Sequence, residues 1–223
     1  MRRPISRIFF FILCLTFSSL AAAEAAGVKV LILGDSLSSA YNMPVERGWV
    51  ALLQRRAAEH YPGTQIINAS ISGETAANGV HRLPALLERH APDVLVIELG
   101  GNDGLRGLKL QQIRRSLQGL IDMGKSAGAE IVLAGIHLHA NYGAKFNQQF
   151  LGIYRELAAQ NKIHLVPLML QGIGDDPKKM QDDMTHPTVA AQPEVLENMW
   201  PMIETAIKLK ARKEPLAENA GKD

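Results

Sequence analysis

Val28-Lys29-Val30-Leu31-Ile32-Leu33, followed at once by Gly34-Asp35-Ser36-Leu37-Ser38, decides the fold. A short apolar run closed by glycine reads as a strand buried on both faces, as in a parallel sheet. The residues after such a strand stand at its C-terminal end, where open α/β sheets place their active sites. A serine on a tight turn there can expose its hydroxyl to a cleft and offer its backbone N–H to an oxyanion. Asp35 or Ser36 would equally serve to cap a following helix. The pentapeptide alone therefore names a place, not a chemistry.

The pattern repeats along the chain. Ile66 to Ala69, Val94 to Leu99, Glu130 to Gly135 and the short Ile163 to Leu168 read as four further strands. Helical spacing fills the intervals. Trp49, Leu52, Leu53 and Arg56 mark the first helix, and Ala76 to Glu88 the second, interrupted near Pro84. Leu110, Ile113, Leu117, Leu120, Ile121 and Gly124 lie on one face of a third, and Gly143 to Asn161 is a fourth. Leu196, Met199, Trp200, Ile203 and Ile207 line a closing helix with a kink expected at Pro201. Strands alternating with helices argue for a parallel sheet covered on both faces.

A serine hydroxyl is a poor nucleophile until a base takes its proton, and the usual base is an imidazole held by a carboxylate. Of the seven histidines, His186 has Asp183 three residues before it and Pro187 directly after it. Asp182 is a second candidate orienter that spacing leaves open. Two further loops leave C-terminal strand ends. In Ser70-Ile71-Ser72-Gly73-Glu74-Thr75, Gly73 lets a backbone N–H approach a ligand closely. In Gly100-Gly101-Asn102-Asp103-Gly104, the Asn102 amide can donate from its side chain. Each loop would also pass for an ordinary turn.

Gly34-Asp35-Ser36-Leu37, Gly73, Gly101-Asn102-Asp103 and Asp183-x-x-His186 match, in order, the four blocks of the SGNH (GDSL) hydrolases, which the chain resembles. Asn68 to Thr75, Arg82 to Leu87, Glu98 to Gly107, Ala140 to Gly143 and Met180 to Asp183 are similar to the bacterial periplasmic acyl-CoA thioesterase, lysophospholipase and arylesterase group. The likeness runs from about Val28 to about Ile207. It implies a three-layer, flavodoxin-like α/β fold with a parallel five-stranded sheet in the order 2-1-3-4-5. It also implies Ser36 as nucleophile, His186 as base, Asp183 as its orienter, and an oxyanion hole of Ser36 N–H, Gly73 N–H and the Asn102 side chain. One stretch departs from the pattern. Ile136-His137-Leu138-His139 stands where relatives carry Arg and Pro, which bears on the acyl pocket and not on the chemistry.

The first 25 residues read as a secretory signal peptide. Arg2, Arg3 and Arg7 precede the apolar run Ile8 to Leu20, and Ala21-Ala22-Ala23 and Ala23-Glu24-Ala25 offer cleavage sites. The apolar run is too short for a stable membrane span. The expected location is periplasmic or secreted, without a lipid anchor. Cleavage after Ala25 takes Lys plus Arg from 24 to 21 and Asp plus Glu from 22 to 21, so the formal charge of +2 falls to zero. Nothing then argues for nucleic-acid binding. The single cysteine, Cys14, leaves with the peptide, which removes disulfides and thiolate catalysis. Residues 26–210 form one expected domain and 211–223 a polar, disordered tail. A monomer with no cofactor and no metal is expected.

Four further motifs do not carry the chemistry they spell. Gly119 to Ser126 spells a phosphate loop, and Gly124-Lys125-Ser126-Ala127-Gly128 a nucleophile elbow. Both precede a strand where the chemistry requires that they follow one. His137 and His139 alternate as metal ligands can, without a third ligand at useful spacing. Glu98 ends a buried strand and reads as a hydrogen-bonded structural carboxylate. The resulting expectation is a serine esterase or thioesterase acting on acyl-CoA, lysophospholipid or aryl esters, with Leu105, Leu138 and Tyr142 near the acyl chain. A carbohydrate O-acetylesterase and a catalytically silent periplasmic binding protein are the alternatives.

Overall fold

The computed structural model describes residues 27–138 and 140–219. The expected signal peptide, Cys14, His139 and the last four residues lie outside them. Five strands form one sheet: β1 (Lys29–Gly34), β2 (Gln65–Asn68), β3 (Val94–Glu98), β4 (Glu130–Ala134) and β5 (His164–Val166). Their order is β2-β1-β3-β4-β5, and every neighbouring pair is parallel. The implied strand order is the observed one.

The helices are α1 (Trp49–His60), α2 (Ala76–His90), α3 (Gly101–Leu105), α4 (Leu110–Ser126), α5 (Ala144–Asn161) and α6 (Gln192–Asn219). The strand pleat sends alternate side chains to opposite layers. Val30 and Ile32 of β1, with Val94 and Val96 of β3, pack against Trp49, Leu53, Met199 and Ile203 of α1 and α6. Leu31, Leu33, Leu95 and Ile97 pack on the other side against Leu83, Leu117, Leu120 and Phe150 of α2, α4 and α5. Both layers are closed, which is why these strands read as unbroken apolar runs instead of alternating ones.

Neither proline breaks its helix. α2 runs through Pro84 and α6 through Pro201, both on exposed faces. There the carbonyl freed by a missing N–H meets water, while Leu83 and Ile203 hold the buried side in place. α2 also gains a cap, since Thr75 Oγ1 accepts the Asn78 N–H at 3.2 Å, an interaction worth about 1 kcal/mol. α6 continues to Asn219, past Lys208, where the sequence reads as a polar tail. Once a helix is nucleated by its packed turns, each added residue gains a hydrogen bond without needing burial.

α3 is absent from the sequence reading, which took Gly100 to Gly104 as a loop. Two glycines in five residues give no helical signal. The turn is instead held from outside, with buried Asp103 accepting the Ala76 N–H at 2.8 Å. The phosphate-loop decoy has a packing explanation. Gly124 lies on the buried face of α4, where a Cβ would come within 2.7 Å of Leu95 Cδ2 and 2.6 Å of Ile131 Cδ1. The glycine lets α4 approach the sheet. Among the described residues no helix is long and apolar enough to cross a membrane.

Candidate active site

The C-terminal ends of β1, β2 and β3 carry three of the four expected blocks to one edge of the sheet. After β1 the chain turns tightly, with Ser38 and Ser39 N–H donating to the Asp35 carbonyl at 3.3 and 3.0 Å. The turn is pinned by Trp49, whose indole N–H donates to Leu37 O at 3.1 Å, and by the Asn68 amide, which donates to Ser38 O at 2.8 Å. Gly34 is demanded by the neighbouring strand. A Cβ there would stand 2.6 Å from Glu98 Oε2 and 2.9 Å from Ser38 Cβ.

Half-buried Ser36 is thereby presented to the loop before α6. Its Oγ lies 2.8 Å from His186 Nε2, and His186 Nδ1 lies 2.7 Å from Asp183 Oδ2. The other carboxylate oxygen of Asp183 accepts the N–H groups of Thr185 at 2.9 Å and His186 at 3.0 Å. Met184 takes a positive φ of 52° so that the loop can fold back on the carboxylate. The loop is closed below by Gln181 N–H to His186 O at 2.7 Å and Thr188 N–H to Lys179 O at 2.7 Å. Asp183 is 41% exposed. Partial burial raises its carboxyl, but the His186 ring and the two backbone N–H groups outweigh this and hold it below the ordinary range. Asp182 is exposed. Of the two aspartates left open by spacing, Asp183 is the one in contact with the imidazole.

Asn102 opens α3 and does more than face the cleft. Its Nδ2 donates to Asp35 Oδ2 at 2.9 Å and to Glu74 O at 3.0 Å. These bonds fix the amide's orientation and tie three loops together. Gly73 (φ 78°) stands in the same junction. Arg106 donates to its carbonyl at 3.0 Å, Ser39 and Ser72 hydroxyls are bonded at 2.8 Å, and Glu74 is braced by Arg82. Gly73 is not among the residues that line the cavity beside Ser36. Among the described residues, neither Ser36 N–H nor Gly73 N–H donates to a protein acceptor.

That cavity, about 320 Å³, is walled by Leu37, Leu105, Ile136, Leu138, Leu168, Leu170, Met180 and Met184, with Ser36, Asn102 and His186 at its floor. Two of the expected acyl neighbours, Leu105 and Leu138, line it. Tyr142 is not among the lining residues and donates its hydroxyl to Leu105 O at 3.1 Å. His137 lines the cavity, while its expected companion His139 is outside the described residues.

Sequence reading missed two features. Tyr41 stacks on the His186 ring with centroids 4.3 Å apart and planes 30° from parallel. No local pattern points to a contact between such distant positions. Behind Ser36, Asp35 and Glu98 form a buried acid pair. Glu98 Oε2 accepts Ser38 Oγ–H at 2.7 Å and Asp35 N–H at 3.2 Å, while its Oε1 has no partner. Burial and the facing Asp35 push the Glu98 carboxyl well up, and burial likewise raises Asp35 against bonds from Leu37 N–H and Asn102. Full burial and the facing Asp35 both favour the neutral form of Glu98.

This has a measurable consequence for stability. A carboxyl whose folded value is raised supports the fold fully below its unfolded value, near 4.3, and loses that support as pH rises towards the folded value. Glu98→Gln keeps both accepted bonds and has no proton to lose. Its melting temperature should therefore exceed the parent's by a margin that grows from pH 5 to pH 8. Parallel melting curves across that range would contradict the assignment.

The sequence profile described as "GDSL-like Lipase/Acylhydrolase family" matches residues 32–192, from inside β1 to the start of α6. The chain belongs to this family, and is an acyl hydrolase. It is 45% identical over 185 residues to "Esterase TesA" of Pseudomonas aeruginosa, spanning 83% of this chain and 92% of that one. It is 41% identical over 199 residues to "Thioesterase 1/protease 1/lysophospholipase L1" of Escherichia coli strain K12, spanning 89% and 92%. The crystal structure of the psychrotrophic esterase EstA from Pseudoalteromonas sp., inhibited by monoethylphosphonate, superposes with a TM-score of 0.75 at 37% identity, covering 79% of this chain and 97% of that one.

Proposed function

We propose that this acyl hydrolase cleaves carboxylic esters and thioesters through an acyl-enzyme on Ser36, with His186 as general base and Asp183 as its orienter. The observation that carries the reading is the unbroken chain of contacts from Ser36 Oγ through His186 to Asp183 at the floor of an apolar cavity. In the neutral tautomer His186 donates Nδ1–H to Asp183 and accepts the Ser36 proton at Nε2. Ser36 Oγ attacks the carbonyl carbon, and the developing oxyanion is held by Ser36 N–H, Gly73 N–H and the Asn102 amide, which exchanges one of its two N–H bonds, to Asp35 Oδ2 or Glu74 O, for this contact. His186 then returns the proton to the leaving alcohol or thiol. Water, deprotonated by the same imidazole, releases the acid.

The relatives named an esterase and a thioesterase/lysophospholipase support esters, thioesters and lysophospholipids as the substrate group, and the eight apolar walls suit an acyl chain better than a sugar. A panel of acyl-nitrophenyl esters, acyl-CoAs and lysophospholipids, with sugar acetates as controls, tests this. Turnover of the acyl series without the acetates is expected, and the reverse preference would overturn it. The chemistry needs no cofactor or metal, so activity should survive chelation. Export by the N-terminal leader belongs to the same reading.

Asn102→Ala should lower kcat by about 10²–10³, the typical loss of one preorganised oxyanion donor. KM should move much less, because that bond strengthens mainly in the transition state. A variant with unchanged kcat and weakened KM would move Asn102 from catalysis to substrate binding.

A further inference from the structure

A second groove, about 430 Å³, opens beside the catalytic cavity. It is lined by His137, Ala144, Asn147, Gln148, Leu151 and Arg155. His137 lines both spaces, so the two are neighbours across one side chain. The other lining residues come from α5. Ala144 and Gln148, and Asn147, Leu151 and Arg155, recur at four-residue intervals and so share one side of the helix.

The two spaces differ in chemistry. The cavity beside Ser36 is walled largely by leucine, isoleucine and methionine, whereas the groove presents an imidazole, two amides and a guanidinium, and among the described residues no carboxylate lines it. Arg155 is exposed and makes no hydrogen bond or ion pair among the described residues. By contrast, Arg56, Arg82 and Arg114 are paired with Glu197, Glu74 and Glu156. An unpaired guanidinium in one groove with amide and imidazole donors, and with no carboxylate among the described lining residues, suits a phosphate in charge and in donor type. The two acids that line the catalytic cavity, Asp35 and exposed Asp175, do not line the groove.

We propose that this groove receives the phosphate of an anionic leaving group while the acyl chain occupies the apolar cavity, with Arg155 as the anchoring charge and Gln148 and His137 as flanking donors. The proposal rests on the acyl-hydrolase reading above and adds the half of the substrate that the cavity does not explain. The phosphate has two chemical sources, the glycerophosphate of a lysophospholipid and the phosphates of an acyl-CoA.

Matched substrates separate these sources. One acyl chain is presented as a lysophosphatidylcholine and as its phosphate-free monoacylglycerol, and again as an acyl-CoA and as its phosphate-free N-acetylcysteamine thioester. A nitrophenyl ester serves as neutral reference. Arg155→Gln should raise KM for the phosphate-bearing member of a pair by about tenfold or more, the loss of one charge-assisted hydrogen bond. Arg155→Glu should do so more strongly. The phosphate-free members and the nitrophenyl ester should be unchanged in both variants. Loss confined to the lysophospholipid assigns the groove to glycerophosphate, and loss confined to the thioester pair assigns it to the coenzyme. Both outcomes support the proposal. Equal effects within each pair, no effect in either, or a parent enzyme that cleaves only phosphate-free substrates would overturn it. Failure to cleave any of the five would instead sink the acyl-hydrolase reading, and the groove assignment with it.

Discussion

Ser36→Ala removes essentially all turnover, with kcat falling by about 10⁶ where the acyl-enzyme route dominates. The expected size follows from what the hydroxyl does. In the proposed mechanism it is the atom that bonds to the acyl carbon, and among the described residues Ser36 is the hydroxyl hydrogen-bonded to His186 Nε2. The fold should be untouched. Ser36 is half-buried on a turn, and among the described residues its side-chain hydrogen bond is to the imidazole. The turn is held by Asp35, Leu37 and Ser38 instead. Melting temperature should therefore stay near the parent value, as for a substitution outside the core. Binding of an acyl product should persist, since the apolar walls are intact. Retained activity, or lost folding, would count against this assignment.

The second large effect distinguishes two adjacent aspartates. Asp183→Asn should lower kcat by about 10⁴, the loss seen when the equivalent carboxylate of an unrelated serine protease becomes an amide. The amide keeps the shape but no longer stabilises the imidazolium or fixes its tautomer. Asp182→Asn should stay within about tenfold, as a surface substitution, since Asp182 is exposed and its neighbour makes the contact to the ring. Because its three hydrogen bonds hold the Asp183 carboxyl below the ordinary range, its support for His186 should persist at pH values where a free carboxyl begins to protonate. Rates of both variants on one short-chain nitrophenyl ester decide the matter. A crippled Asp182→Asn with a near-normal Asp183→Asn would reverse the assignment.

Most of the fold was legible because its signals are local and periodic. A strand closed on both faces leaves an apolar run, and α4 shows its buried face at every third or fourth residue. Those signals do not say where side chains of distant elements meet. The stack of Tyr41 on His186, the Asp35 and Glu98 pair, and the three-loop junction around Asn102 are all contacts between elements far apart in sequence. Each residue involved reads locally as a turn or strand-end residue. The interruption expected near Pro84 of α2 does not occur, for a related reason. Propensity is a local cost, and packing on the opposite helix face outweighs it. The site itself was legible as four separate blocks, each individually weak. Their convergence at one sheet edge follows from the parallel order, which puts every strand's C-terminal end on the same side.

The central claim is that one serine, activated by His186, carries the acyl group. A fluorophosphonate probe tests it most directly, because phosphorus forms a covalent bond only to an activated nucleophile. Peptide mapping of the labelled chain should give a single adduct, on Ser36, that disappears in Ser36→Ala and forms far more slowly in His186→Ala. An adduct on Ser126 or any other residue, or an active enzyme that the probe leaves unmodified, would contradict the account.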